Sequence, residues 1–352
     1  MKLLLKISKF IFTAAFFLVI ISCSGEAVFI PGVYLDGKYD AKYPYNESAK
    51  YLSEITKSVK LINSLAFYNQ YQFYWKQNIS LDSLQNRALL SKAYSKTTSS
   101  KSASGTGTIV GLNAQKILFL TNAHIVSFTD TLISYYSNER GQLTNIIESI
   151  SIKQSQSVYV ALVGLSSLEI VMLDKAKDIA FVGGSIKNTY PRDFSLFNYK
   201  AGDSRELEWG DFVYVFGYPM HFKMITQGLV SLPEDDENYF ITDISVNRGS
   251  SGGPVLAIRD GVPNFELVGI VSSMPAEKIS ILAPKPLMNN NRYRLDAKYD
   301  GDLYINELEN TKYGIAKVIS IQAIKKSIEE NKTMLINCGY EINLFNDILH
   351  QN

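Results

Sequence analysis

Short apolar runs separated by glycine, asparagine, aspartate and proline dominate the chain from Gly105 onward. Many short strands at hairpin spacing, broken by turn residues, predict an all-β fold, either a closed barrel or a sandwich. The runs that we interpret as strands cover residues 108–110, 117–120, 158–162, 168–173, 179–182, 212–216, 228–231, 240–244, 255–258 and 267–272.

The segment before these strands has a different pattern. Between residues 45 and 75, apolar residues recur at three- and four-residue spacing, which predicts an amphipathic helix that begins after Asn46. A second short helix is predicted over 81–94, and the Ser/Lys/Thr-rich residues 95–104 are typical of a flexible linker. Residues 23–100 are therefore predicted to be a helical spacer and linker.

The pattern changes again after the last of these strands. Residues 275–311 lose all periodicity and are rich in proline and asparagine, which predicts an inserted surface loop. A late strand over 313–319 and a helix over 320–330 follow. The main domain is thus predicted to cover 101–332, with 333–352 as a C-terminal extension.

The first residues have the pattern of an export signal. Lysines at positions 2, 6 and 9 precede an apolar run over 10–21 that is short for a membrane span. The sequence Ile20-Ile21-Ser22-Cys23 is similar to the lipobox of bacterial lipoproteins, so residues 1–22 would be removed and Cys23 lipidated. An ordinary cleaved signal and an uncleaved anchor are the alternatives. The lipoprotein interpretation places the protein in a bacterial cell envelope, on a membrane, at its periplasmic or surface face.

Charge and composition exclude several classes of function. The 352 residues contain 35 Lys and Arg and 34 Asp and Glu, and loss of the three leader lysines leaves 32 against 34, a net charge of −2. No basic patch for nucleic acid is expected. With Cys23 lipidated, Cys338 has no disulfide partner, and the three histidines, His124, His221 and His350, lie far apart. We expect neither a metal nor a cofactor.

The segment Gly249-Ser250-Ser251-Gly252-Gly253-Pro254 is the most informative motif. A serine needs a base and an uncrowded backbone to act as a nucleophile, and the flanking glycines provide that backbone. The N–H groups of Gly249 and Ser251 can point at one spot and form an oxyanion hole. The alternative is a flexible turn between strands.

A histidine and an aspartate precede this serine in the chain. His124 leaves a predicted strand, where it would serve as a general base, although an isolated histidine in an apolar setting is often structural. Asp178 precedes the apolar run 179–182 and could orient the imidazole. The alternative is an aspartate in a turn, and Asp174 is the competing carboxylate.

Five motifs in this order resemble those of the trypsin-like serine proteases, and are most similar to the bacterial Deg/HtrA-like branch. They are Ser104 to Gly107, Thr121 to His124, Asp178 to Ala180, Thr226 to Ser231 and Asn247 to Pro254. The resemblance covers about residues 100–330 and implies two six-stranded β-barrels with a His124, Asp178 and Ser251 triad between them. We therefore predict a trypsin-like double β-barrel with an added N-terminal helical segment and a C-terminal helix.

The chain departs from the family at two positions beside the nucleophile. Ser250 stands where the family commonly has Asn or Asp, and Arg248 where this branch tends to have Pro. Ser250 cannot form the ion pair that activates trypsin-type zymogens, so activation of that kind is not expected. The resemblance also implies a possible homotrimer, whereas the extension 333–352 is too short for a PDZ module.

The motifs lead to a serine endopeptidase that acts on proteins or peptides through an acyl-enzyme. Ser272, Ser273 and Met274 would border the first specificity pocket and pair with substrate backbone, with Ser245 near its base. No acidic residue stands there, so small or medium apolar side chains are expected before the scissile bond. The alternative function is a catalytically inactive lipoprotein that acts as an adhesin, a scaffold or a chaperone-like binding protein.

Overall fold

In the part of the chain that the structure describes, the fold consists of two β-sheets, a separate hairpin and four helices. The structure is a computed structural model, and it describes residues 35–44, 48–85, 87–113, 115–162, 164–165, 167–186, 194–233, 238–273, 276–284, 296, 298–311 and 314–345. The predicted leader 1–22, Cys23, Asn46 and Met274 lie outside these residues. Among the described residues, no helix has both the length and the hydropathy needed to cross a membrane.

The first sheet has seven antiparallel strands. They are β1 Val59–Gln72, β2 Ser95–Leu112, β3 Lys116–Thr121, β4 Thr131–Ser137, β5 Leu143–Val160, β6 Glu169–Asp174 and β7 Ile179–Ser185, in the order β4-β5-β1-β2-β3-β7-β6. A bridge between Val158 of β5 and Leu168, just before β6, brings β5 next to the β6 edge of the curled sheet. This sheet forms the first barrel.

The second sheet closes on itself. Its strands are β8 Lys200–Ala201, β9 Phe212–Gly217, β10 Met224–Leu232, β11 Tyr239–Thr242, β12 Pro254–Ile258, β13 Phe265–Ser273 and β16 Ala316–Ser320. The order β12-β9-β10-β11-β16-β13 is completed by pairing of β13 with β12, which gives a six-stranded barrel, and β8 adds in parallel to β13. The predicted double β-barrel is therefore confirmed.

The helices are short and lie outside the barrels. They are α1 Ala49–Ser58, α2 Ala123–Val126, α3 Ile321–Glu330 and α4 Lys332–Asn337. Short 3₁₀ turns cover Trp75–Gln77, Leu81–Gln85, Arg87–Lys92, Ser204–Glu206, Pro219–His221 and Asn343–Phe345. Helix α3 has the place predicted for the C-terminal helix, and the Ser320 hydroxyl caps it by accepting the N–H of Ala323.

The prediction of a helical spacer and linker before residue 101 is wrong for residues 59–72 and from Ser95 onward, whereas α1 and the 3₁₀ turns Leu81–Gln85 and Arg87–Lys92 lie where helices were predicted. From Val59 the chain enters β1, in which Ile62, Ala66 and Tyr68 are buried while Phe67 is exposed. This alternation is that of a strand, and it is imposed by β2 and β5, which pair along both sides of β1. Local periodicity could not report those distant partners.

The predicted flexible linker 95–104 is the first half of β2. It pairs residue by residue with β1, from Ser95 opposite Gln72 to Ser104 opposite Asn63. The side chains of this half are mostly exposed, which explains their polar character. Backbone hydrogen bonds therefore order a segment whose composition is typical of a linker.

The predicted surface loop 275–311 also contains regular structure. Strand β14, Ala276–Pro284, pairs with β15, Leu303–Thr311, in a two-stranded antiparallel sheet. Turn-forming residues obscured this hairpin in the sequence because they dominate the composition between its two strands.

A shared core joins the two barrels. In β3, Phe119 packs inside the first barrel, whereas the opposite face contributes Leu118 and Leu120 to a cluster with Phe216 of β9 and Ile270 of β13. Successive strand side chains point to opposite faces, so one strand serves both cores. The two barrels are therefore packed against each other through apolar side chains.

The last described residues are part of the same packing. Phe345 is 1% exposed and joins the shared core, and Asn343 accepts the Leu112 N–H of β2. Truncation of Phe345 to alanine is expected to lower the free energy of unfolding by about 3–5 kcal/mol because a buried ring leaves a cavity. Urea unfolding measures this loss. The matched control is Ile336→Ala, since Ile336 is 51% exposed, and its effect should stay within about 0.5 kcal/mol; equal effects would contradict the assignment.

Asp211, at the start of β9, links stability to pH. It is 4% exposed, and burial, followed by the nearby Glu208 and Asp40 carboxylates, raises its pKa to about 6 despite a hydrogen bond from the Glu208 N–H. The unfolded chain releases this proton near pH 3.8, the ordinary value. Because the folded state binds the proton more tightly, this group's contribution to stability falls as pH rises from about 4 to about 6.

The variant Asp211→Asn is expected to unfold less readily than the wild type above pH 6. The gain should be on the order of 3 kcal/mol, from 1.36 kcal/mol per pH unit, and should vanish near pH 4. Unfolding by urea at several pH values tests this. Asp203→Asn is the control, and its substitution is expected to lower stability above pH 4 rather than raise it. The reason is that a hydrogen bond from Arg205 holds the pKa of Asp203 at about 2. A gain in Asp211→Asn that did not change with pH would contradict the expectation.

Candidate active site

His124 lies on a single helical turn, α2, directly after β3. The turn is held by the backbone carbonyl of Asp178, which accepts the N–H of Ala123 at 3.2 Å and the side-chain amide of Asn122 at 3.0 Å. The imidazole is half exposed. A strand end thus presents a histidine to solvent on an anchored backbone.

Asp178 contacts this histidine through both carboxylate oxygens. Its Oδ2 lies 2.8 Å from His124 Nδ1, and its Oδ1 accepts the His124 backbone N–H at 2.9 Å. Ser272 donates its hydroxyl to Oδ2 at 2.9 Å. Asp178 has φ +58°, a left-handed conformation that aspartate tolerates better than most residues. The predicted pairing of His124 and Asp178 is thus present in the geometry.

The environment keeps Asp178 ionised. Burial raises the pKa of its carboxyl, but the hydrogen bond and charge of His124, together with the Ser272 hydroxyl, outweigh burial and hold that pKa below its ordinary value of 3.8. A carboxylate in this position fixes the imidazole with its proton on Nδ1 and leaves Nε2 able to accept a proton.

The competing carboxylate, Asp174, has a different set of partners. It accepts the backbone N–H of Lys177 and the hydroxyl of Ser327 in α3. These contacts join the first barrel to the C-terminal helix. Asp174 therefore belongs to the packing of the fold rather than to the histidine.

The turn that carries Ser251 requires glycine on both sides. Gly249 has φ +103° and Gly252 has φ +81°. A Cβ at Gly249 would lie 2.2 Å from the carbonyl oxygen of Tyr218, and one at Gly252 would lie 2.1 Å from that of Thr106. The turn is tied to β2 by the Thr106 N–H, which donates to the Ser251 carbonyl at 2.7 Å.

Two backbone N–H groups beside Ser251 are unoccupied. Within the described part of the chain, the N–H groups of Gly249 and Ser251 have no hydrogen-bond acceptor. The carbonyl of Arg248 accepts the Met220 N–H at 2.9 Å, and because C=O and N–H point in opposite directions across a trans peptide, the Gly249 N–H points away from Met220. These two N–H groups are the donors that the sequence predicted for an oxyanion hole.

The Ser251 hydroxyl is not bonded to His124. It donates to the carbonyl of Ser272 at 2.9 Å. Ser272 therefore contacts two of the three candidate catalytic residues, since its hydroxyl donates to Asp178. The sequence predicted Ser272 only as a residue that borders substrate.

Thr106 is a further residue that sequence reasoning did not assign. It is fully buried, its hydroxyl donates to the Gly249 carbonyl at 2.7 Å, and it accepts the Tyr218 N–H at 3.0 Å. Thr106 thereby joins the turn that carries Ser251 to the loop after β9. The only signal was its place between Gly105 and Gly107 in a family motif.

The remaining predicted positions are less constrained by the geometry. Ser245 is exposed in the segment between β11 and the turn that carries Ser251, and Ser273 is the last residue of β13. Met274 falls outside the described residues. No group of three or more potential metal ligands occurs among the residues that the structure describes.

Comparison with known proteins agrees with this geometry. Residues 105–270 match the model of a family described as the trypsin-like peptidase domain. The matched segment begins in β2, ends in β13 and includes His124, Asp178 and Ser251. The predicted resemblance to trypsin-like serine proteases is confirmed.

Curated relatives come from the Deg/HtrA-like branch. A probable periplasmic serine protease, do/HhoA-like, of Haemophilus influenzae is 29% identical over 175 residues, covering 47% of this chain and 30% of the relative. A probable periplasmic serine endoprotease, DegP-like, of Pseudomonas putida is 31% identical over 162 residues, covering 44% and 26%. The periplasmic pH-dependent serine endoprotease DegQ of Escherichia coli is 29% identical over 180 residues, covering 49% and 32%. The chain thus spans about a quarter to a third of the length of these relatives.

Proposed function

We propose that this protein is a serine endopeptidase that cleaves proteins or peptides through a covalent acyl-enzyme. The observation that carries the proposal is the pair of contacts from Asp178 to the ring and backbone of His124. A carboxylate that holds both is able to set the tautomer and the position of a general base. The unoccupied N–H groups of Gly249 and Ser251 supply the second element of acyl transfer, stabilisation of the oxyanion.

The proposed reaction has two halves, acylation and deacylation, and in each half His124 first takes a proton and then returns it. The oxygen of Ser251 attacks the peptide carbonyl carbon while His124 Nε2 takes the hydroxyl proton. The tetrahedral oxyanion accepts hydrogen bonds from Gly249 and Ser251, and the C–N bond breaks as His124 returns the proton to the leaving amine. Water then attacks the ester with His124 again as base, which releases the acid and restores Ser251.

The resting hydroxyl has to turn before this reaction starts. Its hydrogen bond to the Ser272 carbonyl must be exchanged for one to His124, by rotation about the Cα–Cβ bond of Ser251. Ser251 is partly buried, and rotation between its staggered side-chain positions needs no change of the backbone, so substrate binding is sufficient to select the productive position.

Attachment to a membrane through a lipidated Cys23 completes the proposal. It is supported by the lipobox-like sequence before Cys23 and by relatives that are named periplasmic. Several acyl chains on one N-terminus would hold the protein stably on a membrane of the bacterial cell envelope. Mass spectrometry of the N-terminal fragment from membranes tests this, and an unmodified Cys23 would contradict it.

One observation favours a second candidate, a catalytically inactive binding protein with the same fold. The Ser251 hydroxyl is bonded to Ser272 and not to His124. In this case the hydroxyl would stay in its resting position and the protein would act by binding partners.

A fluorophosphonate probe separates the two functions. An activated serine is expected to form one adduct, located at Ser251 by peptide mass spectrometry, and the protein is expected to cleave an unfolded polypeptide at internal bonds. A folded protein that neither forms the adduct nor cleaves the polypeptide would exclude the peptidase and favour the binding protein.

A further inference from the structure

The hairpin of β14 and β15 is a sheet of two strands without a third. Nine residue pairs join the strands, from Ala276 opposite Thr311 to Pro284 opposite Leu303. Among the described residues neither strand pairs with any other, so within this part of the chain each has one edge without a neighbouring strand. A two-stranded sheet is marginally stable in water and gains from a third strand.

The hairpin also presents apolar side chains on both faces. On one face, Leu282 and Ile305 lie directly opposite each other and are 67% and 74% exposed. On the other face, Ile279 lies opposite Leu308, and both are exposed. Open edges combined with exposed apolar faces favour the addition of an extended apolar strand.

The position of the hairpin, directly after β13, indicates that the strand it accepts is a segment of the substrate. Strand β14 begins three residues after Ser273, the end of β13, and Ser272 of β13 touches both the nucleophile and Asp178. A substrate that pairs with the end of β13 would run antiparallel to it, so its residues N-terminal to the scissile bond would continue along β14.

We propose that the hairpin is a docking surface for an extended apolar segment of substrate on the N-terminal side of the scissile bond. This rests on the proposed peptidase function. The four residue-to-residue steps from Ser272 to Ala276 cover at most about 14 Å, and the nine residues of β14 span about 30 Å. Substrate residues from about the fifth to the thirteenth before the scissile bond are therefore within reach.

The test compares two peptides with the same cleavable sequence. The short one has four residues before the scissile bond, and the long one has ten more, alternating valine and threonine. The wild type is expected to cleave the long peptide with a KM at least about tenfold lower and a similar kcat, because binding remote from the reacting bond lowers KM.

The variant Leu282→Ser with Ile305→Ser is expected to lose this tenfold advantage while it cleaves the short peptide normally. The control is Lys278→Ser with Glu307→Ser, which removes an exposed ion pair of 3.2 Å from the same hairpin and leaves the net charge unchanged. The control should keep the advantage. Fluorophosphonate labelling at the wild-type rate establishes that each variant has a folded site.

Three results would overturn the proposal. The first is an unchanged preference for the long peptide in the apolar double variant, and the second is an equal loss in the control. The third is a change only in self-association, measured by sedimentation, which would make the hairpin a contact between copies. Absence of cleavage by the wild type would instead contradict the peptidase function. Docking would then still be tested by the fluorescence anisotropy of fluorescein-labelled long and short peptides with the Ser251→Ala variant. That variant is expected to bind the long peptide at least tenfold more tightly than the short one.

Discussion

The variant Ser251→Ala is expected to lose peptide hydrolysis by about 10⁶-fold in kcat, because the acyl-enzyme can no longer form. The fold should be unaffected, since the turn is held by backbone bonds of Ser251 and Gly252 to Thr106 and Val271. Initial rates on the short peptide, with intact mass as a check of the protein, provide the measurement.

The neighbouring serine is the matched control for this variant. Ser250 is buried, and its hydroxyl makes one long contact of 3.5 Å with the Asn247 N–H. Ser250→Ala should retain both hydrolysis and the fluorophosphonate adduct within about tenfold, because a weak neutral hydrogen bond contributes about 1 kcal/mol or less. Residual activity in Ser251→Ala comparable with that of Ser250→Ala would mean that Ser251 is not the nucleophile.

The variant Asp178→Asn is expected to lower kcat by about 10⁴-fold with little change in KM. The asparagine amide can donate to His124 Nδ1, which moves the imidazole proton to Nε2, where it blocks acceptance of the serine proton. The left-handed backbone at this position suits asparagine as well as aspartate, so the geometry should survive. Steady-state kinetics and unfolding by urea separate the chemical effect from a structural one.

Asp174→Asn is the control for this substitution. Asp174 was the competing carboxylate in the sequence, but it contacts Lys177 and Ser327. Its replacement should lower stability and leave kcat on the short peptide within a few fold. Equal losses of kcat in both variants would contradict a specific role of Asp178.

The strands of the second barrel were largely predictable. The apolar runs 212–216 and 255–258 correspond to β9 and β12, since these strands are buried along their whole length and continuous apolar sequence is their direct signal. The first barrel was harder because its longest strands contain polar, solvent-facing stretches, which lie at one end of β1 and of β2 and over residues 153–157 of β5. In such stretches backbone pairing, which has no side-chain signature, determines the structure.

The residues of the candidate site also fall into two groups, those predicted from the sequence and those found only in the structure. His124, Asp178 and Ser251 were predicted because acyl transfer needs these side chains and the motifs around them are specific. Thr106 and Ser272 have no comparable signal, because the role of a hydroxyl depends on which oxygen lies within about 3 Å of it. The resting hydrogen bond of Ser251 to the Ser272 carbonyl belongs to this second group.

The amino-acid sequence by itself determined an all-β fold and the chain order of His124, Asp178 and Ser251, because both are read from local patterns of apolar, glycine and polar side chains, and the resemblance of five motifs to the trypsin-like serine proteases added the double barrel. Only the tertiary structure decided that residues 59–72 and 95–104 are strands, that 276–284 and 303–311 form a hairpin, and that Ser272 contacts both Asp178 and Ser251. The physical reason is that strand pairing and hydroxyl hydrogen bonds are made between residues distant in the chain, whose proximity is a product of folding.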